Sequence, residues 1–107
     1  MELVQYSIVL VNLDPTVGSE IQKTRPCVIV SPDEMNKYLN TIVIAPMTSN
    51  LKEYPTRIPV NLNGKKGMIA IDQIKTVDKK RIIKLLGKLN KTEIKMIKEV
   101  IKETFVD

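Results

Sequence analysis

Between Ser7 and Ile71 the chain repeats one pattern five times: six or seven residues rich in β-branched and aliphatic side chains, then a break that a strand does not cross. Ser7–Leu13 (SIVLVNL) ends at Asp14-Pro15, and Pro26–Ser31 (PCVIVS) ends at Pro32-Asp33. Thr41–Met47 (TIVIAPM) carries Pro46 near its end, a position expected at a sheet edge or bulge. Arg57–Leu62 (RIPVNL) alternates, with Ile58, Val60 and Leu62 on one face. Asn63-Gly64 then supplies a two-residue turn, and Lys65–Ile71 returns as the partner strand. Runs this short, bounded by turn residues, predict a small sheet of short strands.

The run Lys79–Leu89 fits either period. A turn at 78–81 followed by a strand is expected, because Gly87 costs about 1 kcal/mol inside a helix. Ile83, Leu85 and Leu89 then share one face. The last segment carries helix signals. Asn90 can cap it, Glu93 can complete a capping box, and Leu89 and Ile94 can form a hydrophobic staple. Ile94, Ile97, Ile101 and Phe105 make one apolar stripe. The expected fold is mainly β, a small barrel or strongly coiled sheet closed by a C-terminal helix. The whole of 1–107 reads as one domain, with no repeat, linker or low-complexity tract.

Charge narrows the choice of partners. Residues 1–62 carry five basic and six acidic side chains, whereas 63–107 carry twelve basic and six acidic, which accounts for the net charge of +5. A basic half suits a polyanion, because Lys and Arg displace counterions from phosphates; a solvated lysine-rich surface explains it equally well. With no histidine and one cysteine, neither a histidine-based triad nor a zinc site is expected, and no cofactor is implied. One cysteine also excludes an intrachain disulfide. No apolar run approaches a membrane span and the N-terminus lacks a signal-peptide pattern, so a cytoplasmic protein is expected.

Four places could carry chemistry. The first is the long polar connection Asp14–Pro26 (DPTVGSEIQKTRP), with Ser19, Glu20, Thr24 and Arg25. Pro26 biases Arg25 to extended backbone at a strand entrance. From local features alone, Arg25 reads first as a surface arginine pairing with Glu20 or Glu53. The second is Thr48-Ser49-Asn50 beyond a strand end, and the third is Asp72-Gln73 followed by Lys75. Each also reads as ordinary loop or strand-end polarity. The fourth is Cys27, which reads as an inert core thiol. Together they hold cations, hydroxyls and carboxylates, the groups needed when a substrate's own 2′-hydroxyl attacks a phosphodiester.

In order along the chain, Asn12-Leu13-Asp14-Pro15, Thr16–Glu20, Thr24–Ser31, Ile44–Ser49, Pro55-Thr56-Arg57 and Gly67 with Asp72–Asp78 resemble the MazF/PemK (Kid) family of toxin endoribonucleases. The resemblance spans almost the whole chain. It implies an SH3-like barrel with short helices and a C-terminal helix, and a homodimer with RNA in a groove across its interface. It implies metal-independent cleavage of single-stranded RNA at a short motif, leaving a 2′,3′-cyclic phosphate and a 5′-hydroxyl, and a cognate MazE-like antitoxin. Carried over, Arg25 matches the catalytic arginine, Thr48 the hydroxyl that binds the scissile phosphate, and Glu20 an acidic residue that serves as base or loop organiser. Ser19, Thr24, Ser49, Tyr54, Asp72, Gln73 and Lys75 fall to substrate binding, with Tyr54 the stacking candidate. The Kid branch uses Asp72 as base, helped by an arginine two positions earlier and a histidine. Here that position is Ala70 and histidine is absent, which favours the Arg25–Thr48 arrangement. The rival readings are a CcdB-like DNA-gyrase inhibitor and a non-catalytic RNA-binding barrel. The first depends on a C-terminal tryptophan that this chain lacks.

Overall fold

The computed structural model describes residues 2–106. Seven strands form one antiparallel sheet: β1 Ser7–Asn12, β2 Thr24–Ile29, β3 Thr41–Thr48, β4 Arg57–Leu62, β5 Lys65–Ala70, β6 Lys75–Asp78 and β7 Ile82–Lys88. Their order is β4-β5-β3-β2-β1-β7, with β6 also on β3. The sheet curls into a half-barrel, closed by helix α2 Lys91–Phe105, as expected from the sequence. No helix among the described residues is long and apolar enough to cross a membrane.

Strand β3 holds the sheet together. It pairs with β2 along one edge, and with β6 and then β5 along the other. Pro46 lies between the last β6 pair, Ile44–Lys75, and the first β5 pair, Met47–Ile69. A proline is tolerated in this central strand because it falls where one neighbour has ended and the next has not begun. The central strands bury both faces. Ile8, Val28, Ala45 and Met47 join one cluster with Ile97 of α2, while Val9, Cys27, Ile29, Ile42 and Ile44 join another.

The hairpin and the terminal helix match expectation closely. Asn63 and Gly64 both have positive φ, 52° and 83°, the backbone a two-residue hairpin turn requires. Asn90 accepts from the Glu93 N–H at 2.8 Å, and Glu93 accepts from the Asn90 N–H at 2.9 Å, completing the capping box. Leu89 and Ile94 pack in the same cluster.

Elsewhere the structure departs from the expectation. β2 starts at Thr24, not Pro26, which brings Arg25 into the strand. A short helix, α1 Asp33–Tyr38, follows Pro32, and its buried Asn36 donates to the Ser31 carbonyl at 3.0 Å. β6 was not expected as a strand. Lys79–Arg81 is the expected turn before β7, but β7 does not present Ile83, Leu85 and Leu89 on one face. Two register shifts in the β1–β7 pairing turn Ile82 and Leu86 inward and leave Ile83 and Leu85 about half exposed. Phe105, the last residue of the helical stripe, is 58% exposed, while Ile97 at its centre is fully buried.

Candidate nucleic-acid site

The antiparallel β2–β3 register sets Cys27 opposite Pro46. Continued by two residues, the same register sets Arg25 opposite Thr48. On the other side of β3, Thr48 pairs with Met68 of β5. A pocket of about 270 Å³ opens where these strands meet. Thr24, Arg25, Thr48 and Ser49, all expected site residues, line it together with Lys65, Lys66 and Gly67 of the hairpin. Gly67 lets the strands approach closely here, since a Cβ at this position would lie 3.1 Å from the Thr48 carbonyl oxygen, a tight contact.

Arg25 is half-buried and is held through Nε, which donates to the Gln22 carbonyl at 2.8 Å. Its two terminal nitrogens have no partner among the described residues, and it pairs with neither Glu20 nor Glu53. The surface-pairing reading of Arg25 is therefore corrected. Thr48 Oγ1 accepts from the Asn50 N–H at 3.2 Å, and its proton remains available to donate. The lining has three cations, Arg25, Lys65 and Lys66, and no carboxylate. Such a pocket offers a fork of N–H donors, a hydroxyl and two ammonium groups to an anion.

The remaining expected residues stand in two other groups. In the first, Glu20 accepts from the Val17 N–H at 2.9 Å and lies 3.9 Å from the Lys75 ammonium. Gln73 accepts from the Ile21 N–H at 3.2 Å. These contacts tie the 14–23 loop down onto the β6 end, and the same loop supplies the carbonyl that holds Arg25. Its neck is closed by Asp14, which accepts from the Lys23 N–H at 2.9 Å, and by the Leu13 N–H, which donates to the Lys23 carbonyl at 3.0 Å. Ser19 is exposed at the turn of this loop and does not line the pocket.

The second group centres on Asp72. Arg57 grips it with two bonds, Nε to Oδ1 at 2.7 Å and Nη2 to Oδ2 at 3.0 Å, and the Thr56 hydroxyl donates at 2.9 Å. The Arg57 hydrogen bond is the main cause holding the Asp72 carboxyl below its ordinary range, and the Thr56 hydroxyl adds to it. That bond also raises the Arg57 guanidinium above its usual value. A carboxylate so engaged is a poor proton acceptor. Tyr54 stands beside this pair, 43% exposed, with the Arg57 guanidinium and the Lys52 ammonium each 5.3 Å from its ring centre.

Cys27 is fully buried, and burial pushes its thiol up to about 12 against the opposing pull of the Lys75 and Arg25 charges. It is an inert thiol at neutral pH. No group of three or more His, Cys, Asp or Glu side chains among the described residues is arranged to hold a metal ion. The pocket residues missed by sequence reading include Lys65 and Lys66, while Gly67 entered it only as part of the family match. The signal of the two lysines was present, because the basic half of the chain begins at this hairpin turn.

Comparison with known proteins agrees with this architecture. The family model of the PemK-like, MazF-like toxin of type II toxin-antitoxin systems matches residues 4–105. Among solved structures, MazF from Deinococcus radiodurans superposes with a TM-score of 0.84 at 22% identity, covering 94% of this chain and 93% of that one. The Mycobacterium tuberculosis toxin MazF-mt6 gives 0.79 at 22% identity, covering 92% and 95%. An endoribonuclease in complex with its cognate antitoxin from a mycobacterial species gives 0.79 at 18% identity, covering 94% and 91%. At these identities the structural matches speak for the fold, and the family model for descent. With strand order, closing helix and matched span in accord, the chain belongs to the PemK-like, MazF-like family of toxins of type II toxin-antitoxin systems.

Proposed function

We propose that this toxin is a metal-independent, sequence-specific endoribonuclease acting on single-stranded RNA. The observation that carries the reading is the Arg25–Thr48 pocket: a guanidinium whose terminal nitrogens have no partner among the described residues, lining one pocket with a hydroxyl and no carboxylate. The substrate's 2′-oxygen attacks the adjacent phosphorus as its proton passes to solvent, since no carboxylate lines the pocket to take it. The bond from phosphorus to the 5′-oxygen breaks, and that oxygen takes up a proton. The products are a 2′,3′-cyclic phosphate and a 5′-hydroxyl. Arg25 stabilises the charge that builds on the equatorial phosphorane oxygens, and Thr48 donates to one of them. Glu20 and Gln73 act at a distance. They fix the loop whose Gln22 carbonyl holds Arg25 in place, so they are positioning residues. Thr24 and Ser49 flank the phosphate. Ser19, Tyr54, Asp72 and Lys75 stand on the loops and strand end that hold neighbouring nucleotides, with Tyr54 offering the ring on which a base stacks.

The protein acts in the cytoplasm as a homodimer, as a single domain, and a cognate MazE-like antitoxin neutralises it. The basic side chains of the pocket supply the attraction for an acidic antitoxin segment as well as for RNA. The decisive experiment is cleavage of a long, weakly structured RNA in excess EDTA, wild type beside Arg25→Ala, with fragment ends mapped. Discrete cuts at one short motif with 5′-hydroxyl ends, absent in the variant, are the expected result. Intact RNA from a folded, antitoxin-free protein would overturn the proposal and favour a binding or gyrase-directed role.

A further inference from the structure

Across the β4–β5 hairpin from the Arg25–Thr48 pocket lies a second open hollow of about 430 Å³. Lys66 and Gly67 line both. Gly67 has no side chain to divide them, and it cannot gain one without pressing on the Thr48 carbonyl, 3.1 Å from where a Cβ would stand. The two hollows differ in chemistry. The first is lined by three cations and no carboxylate. The second is lined by Leu51, Pro59 and Met68, with Lys66 as its one cation and Glu93 as its one carboxylate.

Glu93 decides what the second hollow can hold. Its Oε1 accepts from the Asn90 N–H at 2.9 Å and its Oε2 from the Asn61 N–H at 3.4 Å, so the carboxylate is fixed in place by the helix cap and by β4. A phosphate entering there would meet a fixed negative charge. A nucleobase would meet apolar faces for its rings and an acceptor for an exocyclic amine. Leu51 is 53% exposed on this surface, an apolar side chain left open beside a cationic site.

We propose that this second hollow is a base-binding subsite for a neighbouring nucleotide of the RNA strand, with Lys66 holding the phosphate that links it to the scissile one. The inference rests on the nucleic-acid reading of the Arg25–Thr48 pocket. Lys66 is the hinge of the pathway, because it borders both hollows and supplies charge where the strand crosses the hairpin. Leu51 supplies apolar contact to the base and no charge.

The test uses a fluorescein-labelled 12-nucleotide single-stranded DNA of mixed sequence, which has no 2′-hydroxyl and is not cut by 2′-attack. Binding is followed by anisotropy over a range of KCl concentrations. Lys66→Ala is expected to weaken binding severalfold and to reduce the slope of log affinity against log salt by about 0.7, the loss of one phosphate contact on a single strand. Leu51→Ala is expected to weaken binding severalfold with the slope unchanged, because base contacts release no counterions. Both effects should disappear when the probe is shortened from one end and persist when it is shortened from the other. If both variants bind as the wild type does while Arg25→Ala binds more weakly, the subsite is overturned and the pocket stands alone. If Lys66→Ala lowers the slope and Leu51→Ala does nothing, Lys66 is a phosphate contact without a base site, and the proposal fails. If Arg25→Ala also binds as the wild type does, and the wild type leaves RNA intact, the ribonuclease reading falls with it.

Discussion

Arg57 commits its guanidinium to Asp72 through bonds of 2.7 and 3.0 Å, and the pair lies beside the Tyr54 ring. Arg25 commits only Nε, to a carbonyl, and shares its pocket with Lys65 and Lys66. Both arginines border the ends of strands and both are partly buried, the Arg57 side chain deeply so at 14% exposure. They differ in what surrounds them. A structural arginine is neutralised by a fixed carboxylate, which contributes to folding and leaves little for a ligand. Arg25 sits among like charges, with no carboxylate in the pocket lining, an arrangement that favours an incoming anion. The uncompensated charge marks the site better than the mere presence of arginine does.

This contrast can be broken by substitution. Arg25→Ala should lower cleavage by about a thousandfold, the scale of losing a main donor to a transition-state oxyanion, with the melting temperature nearly unchanged. A large fall in melting temperature would make Arg25 structural, like Arg57. Thr48→Val should lower kcat about tenfold with stability preserved, since one hydrogen bond of roughly 1.4 kcal/mol is lost in the transition state. Arg57→Gln should do the reverse. A double-mutant cycle with Asp72→Asn, read by urea denaturation, should give a coupling of about 1 kcal/mol, as for a well-formed but partly exposed pair, and kcat should remain near wild type. A loss of kcat with unchanged stability in Arg57→Gln would erase the distinction.

The smallest effect is on pH dependence. Asp72 is held below its ordinary pKa of about 3.9, so the folded protein takes up this proton at lower pH than the unfolded chain. Its stabilisation is complete above that ordinary value and is lost as pH falls through the depressed folded one. Wild type should therefore lose a few tenths of a kcal/mol more than Asp72→Asn on acidification from pH 5 toward pH 3, measured by urea midpoints.

The sequence carried the elements that have local chemistry. Asn63-Gly64 specifies a hairpin turn by the φ it permits, and Asn90 with Glu93 specifies a helix start by the groups it satisfies. Helix α1 was illegible because six residues hold less than two turns of periodicity. β6, Lys75–Asp78, was illegible because only Val77 of its four residues is buried, so no alternation appears. The outward turn of Ile83 and Leu85 follows from bulges in the β1–β7 pairing, which depend on a partner more than seventy residues away. For the site, family resemblance pointed to Arg25 and Thr48, and the fold brings both to the lining of one pocket. It also pointed to Glu20, Gln73 and Asp72, which the fold puts in other groups. The division depends on which strand ends converge in space, and residue type does not encode that. Lys65 and Lys66 were passed over because a lysine pair after a turn looks like solvated surface until the hairpin is folded against β3.

The order of the sheet also sets a timetable. β1 pairs with β7, far from it in sequence, and Ile8 shares a core with Ile97. The strand ends that carry Arg25 and Thr48 lie on that core, so a nascent chain that has reached residue 70 has every residue of the pocket but not the elements that close the barrel beneath it. Contacts between such distant residues form late. At roughly 5–20 residues per second, synthesis puts an interval of seconds between residue 70 and the end of helix α2. On the proposed ribonuclease reading, the pocket is therefore complete only once helix α2 has docked on the core that carries its strands.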